Sequence, residues 1–414
     1  MKLAKNKLGG IRMKSTSLIG FMIATSAAVA AVQAGAQETP FRIAVIDDLS
    51  GMYSGNGGPN TVLATTLAVE DFGGKVLGRK IEVLAADHQG KPDIGSALAG
   101  RYIDEQNVSA IVNGGASSVG LAVQTLAAQR GITTLISGGY APNFSSDRCS
   151  PYGTQWAPSV GELAGTIAKG IIASGGKSWY FLTADYVFGH ALYADAAKAV
   201  LAGGGKVLGE TRHPLNTPDM ASPLLSAQSS GADVIGLANA GPDLVSTIKQ
   251  AREFGIGSKL ATMLVFENNV TALGLEAAQG MRIPAPFYWD LNDETRAFAK
   301  KLMARNGNVV PTMGHALAYI ATTHYLEAVA AAGTADAATV AKQMHKLPIE
   351  TAMIQNARMQ ANGRVVMDMH FFEVKSPKES KSPADLYKKV GETIAGSTLF
   401  IPADKSGCAH LVGQ

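Results

Sequence analysis

The chain has 414 residues, of which 46% are hydrophobic and 17% charged, with a formal net charge of +3. That length accommodates two domains of ordinary size, and the composition is globular rather than disordered or fibrous. The positive balance does not point to nucleic acid: residues 1–36 hold Lys2, Lys5, Lys7, Arg12 and Lys14 and no acidic residue, so losing those five charges turns +3 into −2. No Lys/Arg-rich patch with interleaved aromatics follows.

The first 36 residues are laid out as a secretory leader, with a basic start, an apolar stretch over 18–32 and small residues at Ala34-Gly35-Ala36. The apolar stretch is shorter than the roughly 20 residues that span a membrane. The expectation is cleavage after Ala36 and export to the periplasm of a soluble chain of 378 residues, beginning at Gln37. Translation starting at Met13 would shorten the long basic region, and no cysteine follows the cleavage site to carry a lipid. The alternative is a buried N-terminal helix. There are two cysteines, Cys149 and Cys408, with no C-x-x-C spacing. In an exported protein such a pair is expected as one structural disulfide, here tying the tail to the middle of the chain; the alternative is two unpaired thiols.

From residue 41 the chain alternates short apolar runs with helical patterns. Strands are expected at 41–46, 81–85, 108–112 and 132–136, with helices at 59–72, 94–105 and from 118 to 130 between them. Pro59 suits the first turn of its helix, where its fixed φ is helical and its missing N–H is not needed. The pattern lapses over 140–158 and restarts with a helix at 161–174, a strand at 178–183, a helix at 191–202 and a strand at 206–210. A strand at 232–237, a helix to 254 and a strand at 259–264 complete this second set. Residues 280–286 read as a crossover, and helices at 293–306 and 313–332 return to the first set. Residues 362–374 read as an antiparallel pair turning at Gly363-Arg364. One βα architecture appearing twice predicts two parallel α/β sheets covered by helices.

Such sheets bind ligands at the carboxyl ends of their strands. The first set places loops there at 47–58, 113–118 and 137–143, rich in Gly, Ser and Asn; the second places loops at 184–190, 239–242 and 265–269, which carry Tyr186, Phe188 and Phe266. Approachable backbone on one side and aromatic faces on the other suit a small amphipathic ligand. Helix N-termini at these loops favour a carboxylate.

Four segments in this order, behind a leader, carry a family resemblance: Ile43-Ala-Val-Ile-Asp-Asp-Leu-Ser-Gly-Met-Tyr53, Gly114-Gly-Ala-Ser-Ser118, Ala184-Asp-Tyr-Val-Phe-Gly189 and Lys249-Gln-Ala-Arg-Glu-Phe-Gly255. The mature chain resembles the type I periplasmic binding proteins of the branched-chain amino acid (Leu/Ile/Val-binding) branch, the solute-binding components of ABC uptake transporters. The resemblance implies an α/β fold of two doubly wound Rossmann-like lobes joined by a three-strand hinge. Residues 37–157 with 286–368 would form lobe 1, and 158–285 with 369–414 lobe 2 and the tail. It implies no catalysis and no cofactor or metal, with a small-molecule ligand, a membrane permease as partner and a monomeric state. Carried over residue by residue, Ser117, with Ser118 beside it, would bind a ligand carboxylate framed by Gly138, Gly139 and Tyr140. Tyr53 would pack from the first loop, and Tyr186, Phe188, Asn239, Ala240 and Phe266 from the second lobe. The acidic residue that captures an α-ammonium in amino-acid binders falls within 264–267; Glu267 is the acid there, whereas the alignment itself places Leu264 or Val265 at that position. Both an amino acid and an aromatic or aliphatic acid therefore stay open as ligands.

Other classes fit less well. The loop Ser54-Gly-Asn-Gly-Gly-Pro-Asn60 departs from G-x-G-x-x-G, which weighs against an NAD-dependent oxidoreductase. No G-x-S-x-G elbow supports a hydrolase, and His315 has no nucleophile partner in sequence. His88 and His190 stand alone, and Asp47-Asp48 reads as a solvated strand end before it reads as a cation site. A ligand-sensing receptor module of the same fold shares every feature above.

Overall fold

A computed structural model describes residues 39–408. The expected leader (1–36) lies outside the described residues. The chain opens with β1 (Phe41–Asp47), almost wholly buried, as a strand covered on both faces must be. It continues through α1 (Pro59–Asp71), the hairpin β2 (Lys75–Val76) and β3 (Arg79–Asp87), α2 (Pro92–Gln106), β4 (Val108–Asn113), α3 (Ser117–Gln129), β5 (Thr133–Ile136) and β6 (Gly153–Gln155). These strands form one sheet in the order β2-β3-β1-β4-β5-β6, parallel except for the β2–β3 hairpin.

A second, all-parallel sheet follows: α4 (Val160–Ala173), β7 (Ser178–Ala184), α5 (Val187–Ala202), β8 (Lys206–His213), α6 (Ala221–Ser229), β9 (Val234–Ala238), α7 (Gly241–Glu253) and β10 (Lys259–Thr262), in strand order β10-β9-β7-β8. The short helices α8 (Glu267–Leu273) and α9 (Leu275–Ala278) lead to β11 (Arg282–Ala285). Next, α10 (Asp293–Met303) and α11 (Met313–Ala332) pack on α1, returning the chain to the first sheet, and α12 (Ala337–Lys346) packs on α11. The remainder comprises β12 (Arg358–Met359), β13 (Val365–Val366), β14 (His370–Val374), β15 (Tyr387–Lys389) and α13 (Gly396–Leu399). Cys149 and Cys408 form the expected disulfide. No helix among the described residues is long and apolar enough to cross a membrane.

The fold is the expected pair of doubly wound lobes, with one difference in pairing. Residues 362–374 do not pair with themselves: β13 pairs back with β12, while β14 pairs with β11 and with β15 in a small antiparallel sheet. Gly363 does sit at the turn, at φ +74°, where a Cβ would lie 2.2 Å from the Gly153 carbonyl oxygen. Alternation of apolar residues marks a strand but not its partner, which is why the pattern was ambiguous between these pairings.

Where the chain crosses between sheets, a buried polar network binds the crossing segments. Arg364, just before β13, bonds Glu162 in the first turn of α4 (Nη2–Oε2 2.5 Å), and both side chains are 5% exposed. The Arg364 Nη1 group donates to Gln155 Oε1 (2.5 Å), while the Gln155 amide donates to the carbonyls of Gly139 and Ala141 (both 2.9 Å). Arg364→Met would strand Glu162 in the interior, and the expected cost is about 3–5 kcal/mol. Pairing it with Glu162→Gln should recover much of that loss; denaturant unfolding of the single and double variants measures both.

Candidate functional site

Each sheet reverses its winding beside its first-formed strand. In the first sheet β3 and β4 flank β1, and in the second β8 and β9 flank β7. Loops leaving the strands at such a switch point diverge and open a crevice. The loops after β1, β4 and β5 of the first sheet and after β7, β9 and β10 of the second meet in one cleft. Its walls are Tyr53, Asn56, the backbone of residues 114–117, Gly138, Tyr140, Tyr186, Phe188, Ala240, Leu264 and Phe266. The space left between them is about 20 Å³, room for about one water molecule.

Four helices begin at this cleft, and the residue capping each of them lines it: Ala116 for α3, Tyr186 for α5, Ala240 for α7 and Phe266 for α8. Helix starts usually carry Ser, Thr, Asp or Asn, whose side chains occupy the first free N–H groups. Here α3, α5 and α7 have no side-chain cap, which leaves the N–H groups of Ser117 and Ser118, of Val187 and Phe188, and of Gly241 uncapped at the cleft; Pro242, second in α7, has no N–H. Each helix end also presents a partial positive charge of about half a unit. No Lys, Arg, Asp or Glu is among the lining residues. A neutral wall fringed by free N–H donors suits an anionic oxygen. Ala116 holds φ +47°, a left-handed conformation that costs a non-glycine residue about 1–3 kcal/mol and fixes the entry to α3.

Buried carboxylates hold the first-sheet loops in place. Asp47 and Asp48 are fully buried acceptors, not a solvated strand end. Asp47 receives the N–H groups of Asp48 (2.7 Å) and Gly58 (3.0 Å), and burial pushes its carboxyl up to about 7. Asp48 receives those of Gly51 (2.8 Å) and Tyr53 (2.9 Å), which sets Tyr53 at the cleft. From α11, His315 donates through Nε2 to the Gly57 carbonyl (3.0 Å) and accepts the Thr312 N–H at Nδ1; burial holds it neutral, down to about 4. The Thr312 hydroxyl donates to the Asn56 carbonyl (2.8 Å). His315 is thus a brace for the first loop. Among the described residues no cluster of His, Cys, Asp or Glu could hold a metal ion.

The two sheets touch across the cleft. The Tyr53 and Tyr186 hydroxyls share a hydrogen bond (2.8 Å), and the Asn268 amide donates to Asn56 Oδ1 (2.9 Å). Tyr140 meets Phe266 edge-on, with ring centroids 5.8 Å apart. Burial raises the phenols of Tyr53, Tyr140 and Tyr186 above their ordinary range, so all three stay protonated.

Of the expected site residues, Tyr53, Ser117, Gly138, Tyr140, Tyr186, Phe188, Ala240 and Phe266 come together in this lining. Ser117 is the first residue of α3; its Oγ accepts the Ala141 N–H (3.2 Å), leaving its own proton to donate. Ser118, Gly139, Asn239 and Glu267 are not in the lining. Gly139 packs on Phe144, Asn239 is buried against His213 and Thr247, and Glu267 is buried near Tyr140. Leu264, which the alignment placed at the ammonium-capturing position, lines the cleft, as do Asn56, Gly114, Gly115 and Ala116, which had not been singled out as contacts. The glycines lie in the expected loop, and their reason is steric: a Cβ on Gly114 would stand 2.3 Å from Asp47 Oδ2. Nothing in sequence distinguishes Asn56 from other polar loop residues.

A sequence profile described as periplasmic binding protein matches residues 40–381. A periplasmic binding protein from Burkholderia mallei is 40% identical, with a TM-score of 0.87 over 90% of this chain and 99% of that one. A branched chain amino acid ABC transporter periplasmic ligand-binding protein from Burkholderia xenovorans LB400 is 32% identical, with a TM-score of 0.78 over 89% and 98% of the two chains. An ABC transporter solute binding protein from R. palustris, solved in complex with benzoate, shares the fold at 20% identity, with a TM-score of 0.76 over 86% and 98%.

The contact between the loops after β4 and β5 leaves no room for a side chain, since a Cβ on Gly138 would lie 1.7 Å from the Gly114 carbonyl oxygen. Gly138→Ala should therefore force the loops apart, costing about 1–3 kcal/mol of stability in denaturant unfolding. Gly165→Ala, within α4 where a Cβ meets nothing within 4 Å, should instead be neutral or stabilising by up to about 1 kcal/mol.

Proposed function

The chain belongs to the periplasmic binding protein family, and on that premise we propose that it captures a small carboxylic acid with an apolar or aromatic body for an ABC uptake transporter. The observation that carries this reading is the neutral cleft ringed by uncapped helix N-termini. The carboxylate is received by the Ser117 hydroxyl and the first N–H groups of α3, beside Gly138. The body of the ligand lies among Tyr53, Tyr140, Tyr186, Phe188 and Phe266. Leu264 presents an apolar side chain to the cleft and Glu267 is outside its lining, so the walls offer no carboxylate to a ligand ammonium group. That favours an acid lacking an α-amino group over a branched-chain amino acid. The benzoate-bound relative supports the same class of ligand for this fold.

Capture is a physical cycle without a chemical step. Among the described residues lobe 1 comprises 39–157 with 286–368, and lobe 2 comprises 158–285 with 369–389, while the tail from Gly396 to Cys408 returns to lobe 1 through Asp368, Arg364 and Cys149. The Tyr53 and Tyr186 hydroxyls bond across the cleft and little space is left between the loops, so the lobes part to load. The ligand docks on lobe 1, and closure adds the contacts of lobe 2; only contacts made better in the closed form drive that shift. The closed monomer is the form a membrane permease would engage. The exported chain begins at Gln37, after cleavage behind Ala36.

A thermal-shift panel on refolded, ligand-free protein tests the class. Benzoate-type and branched aliphatic acids are expected to raise the unfolding midpoint by mass action, with leucine and valine leaving it unmoved. Ser117→Ala should weaken the responding acid by about tenfold, the loss of one charge-assisted hydrogen bond. A shift with amino acids alone would overturn the choice of ligand, and a shift with NAD alone would overturn the binding-protein reading.

A further inference from the structure

Glu267 opens α8 directly after Phe266, and its side chain is buried at 4% exposure. No Lys, Arg or His among the described residues pairs with it, and burial pushes its carboxyl up to about 8. The groups facing it come from three other parts of the chain. Tyr140 comes from the loop after β5, Tyr288 from the crossing segment after β11 and Tyr387 from β15, and each phenol is raised further by the Glu267 charge. The Tyr288 hydroxyl is occupied, donating to the Ala384 carbonyl and accepting the Leu386 and Tyr387 N–H groups. The hydroxyls of Tyr140 and Tyr387 are buried without a hydrogen-bond partner. The charged residues of α7, which packs on α8, lie elsewhere: Asp243 receives the Asn216 and Thr217 N–H groups, and Lys249, Arg252 and Glu253 are exposed. On α9, Glu276 is exposed as well.

A carboxylate without a cation is poorly tolerated at such a depth, where only its own backbone N–H supports the charged form. Its neighbours on either side reach the other lobe, Phe266 meeting Tyr140 and Asn268 bonding Asn56, so the first sheet's loops cover this start of α8. Tyr140 belongs to the first sheet's loops and Glu267 to the second's. Parting the lobes therefore carries Tyr140 away and opens the acid to water on that side. We infer that Glu267 takes up a proton as the lobes close, which makes ligand capture weaken as the pH rises. The inference rests on the closure described under the proposed function. The closed form holds the proton more tightly, so its advantage is full at low pH. That advantage is lost as pH climbs from the ordinary glutamate range, near 4.5, towards about 8.

Two measurements on the wild type and Glu267→Gln test it. In small-angle scattering without ligand, the wild type should expand between pH 5.5 and pH 8.5, and Glu267→Gln should stay compact at both. In calorimetry, the dissociation constant of a bound acid should rise about tenfold or more from pH 6 to pH 8 in the wild type and stay flat in the variant, since a shift of one pKa unit is a tenfold change in affinity. If the two proteins show the same pH dependence in both measurements, the inference is wrong. A scattering change confined to the wild type, with no acid binding at any pH, would uphold the proton linkage and sink the ligand class instead. Should Glu267→Gln fail to fold, calorimetry of the wild type in buffers of differing ionisation enthalpy decides: net proton uptake on binding the acid at pH 7 upholds the inference, and its absence overturns it.

Discussion

The first N–H groups of an α-helix have no acceptor within their own helix, and this molecule turns that deficit towards one point. Parallel sheets bring every strand out at the same edge, and each strand is followed by a helix that starts there. Two such sheets, each reversing its winding at the middle, set the starts of α3, α5, α7 and α8 against a common cleft. The residues at those starts are Ala116, Tyr186, Ala240 and Phe266, none of which can cap its own helix with a side-chain oxygen. The cleft thus keeps its donors for something else, and its aromatic rings supply the remaining surface.

Keeping bare backbone in position requires support from behind. Asp47 and Asp48 provide it by accepting N–H groups from their own loop, and His315 and Thr312 brace that loop from α11. Gly114 and Gly138 let the neighbouring loops approach where any side chain would collide. The Arg364–Glu162–Gln155 network reaches from the crossing segments to the carbonyls of Gly139 and Ala141, so the loop that lines the cleft is anchored to the segments that join the two sheets.

Much of this was legible in the residues. Buried strands such as Phe41–Asp47 announce themselves as continuous apolar runs, and Pro59 marks the start of its helix. The loops at strand ends followed from the alternation of elements, which is why Tyr53, Ser117, Tyr186 and Phe188 fall within the lining. Side-chain direction within a loop has no such periodicity. Glu267 lies one residue from the lining Phe266 yet turns into the interior, and Asn239 turns towards His213 while Ala240 faces the cleft. Asp47 and Asp48 read as solvated because charged pairs usually are; only the fold reveals the N–H groups that bury them. The partner of β14 was likewise hidden, because pairing with β11 joins residues far apart in sequence.

Ligand class and capture both depend on where the ligand's carboxylate sits. A crystal structure of the protein with whichever acid gives the largest thermal shift tests this most directly. The prediction is a carboxylate within hydrogen-bond distance of Ser117 Oγ and the first N–H groups of α3, with the ligand's body between Tyr53 and Phe266. A ligand bound outside this cleft, or an amino acid held through its ammonium group by Glu267, would contradict it.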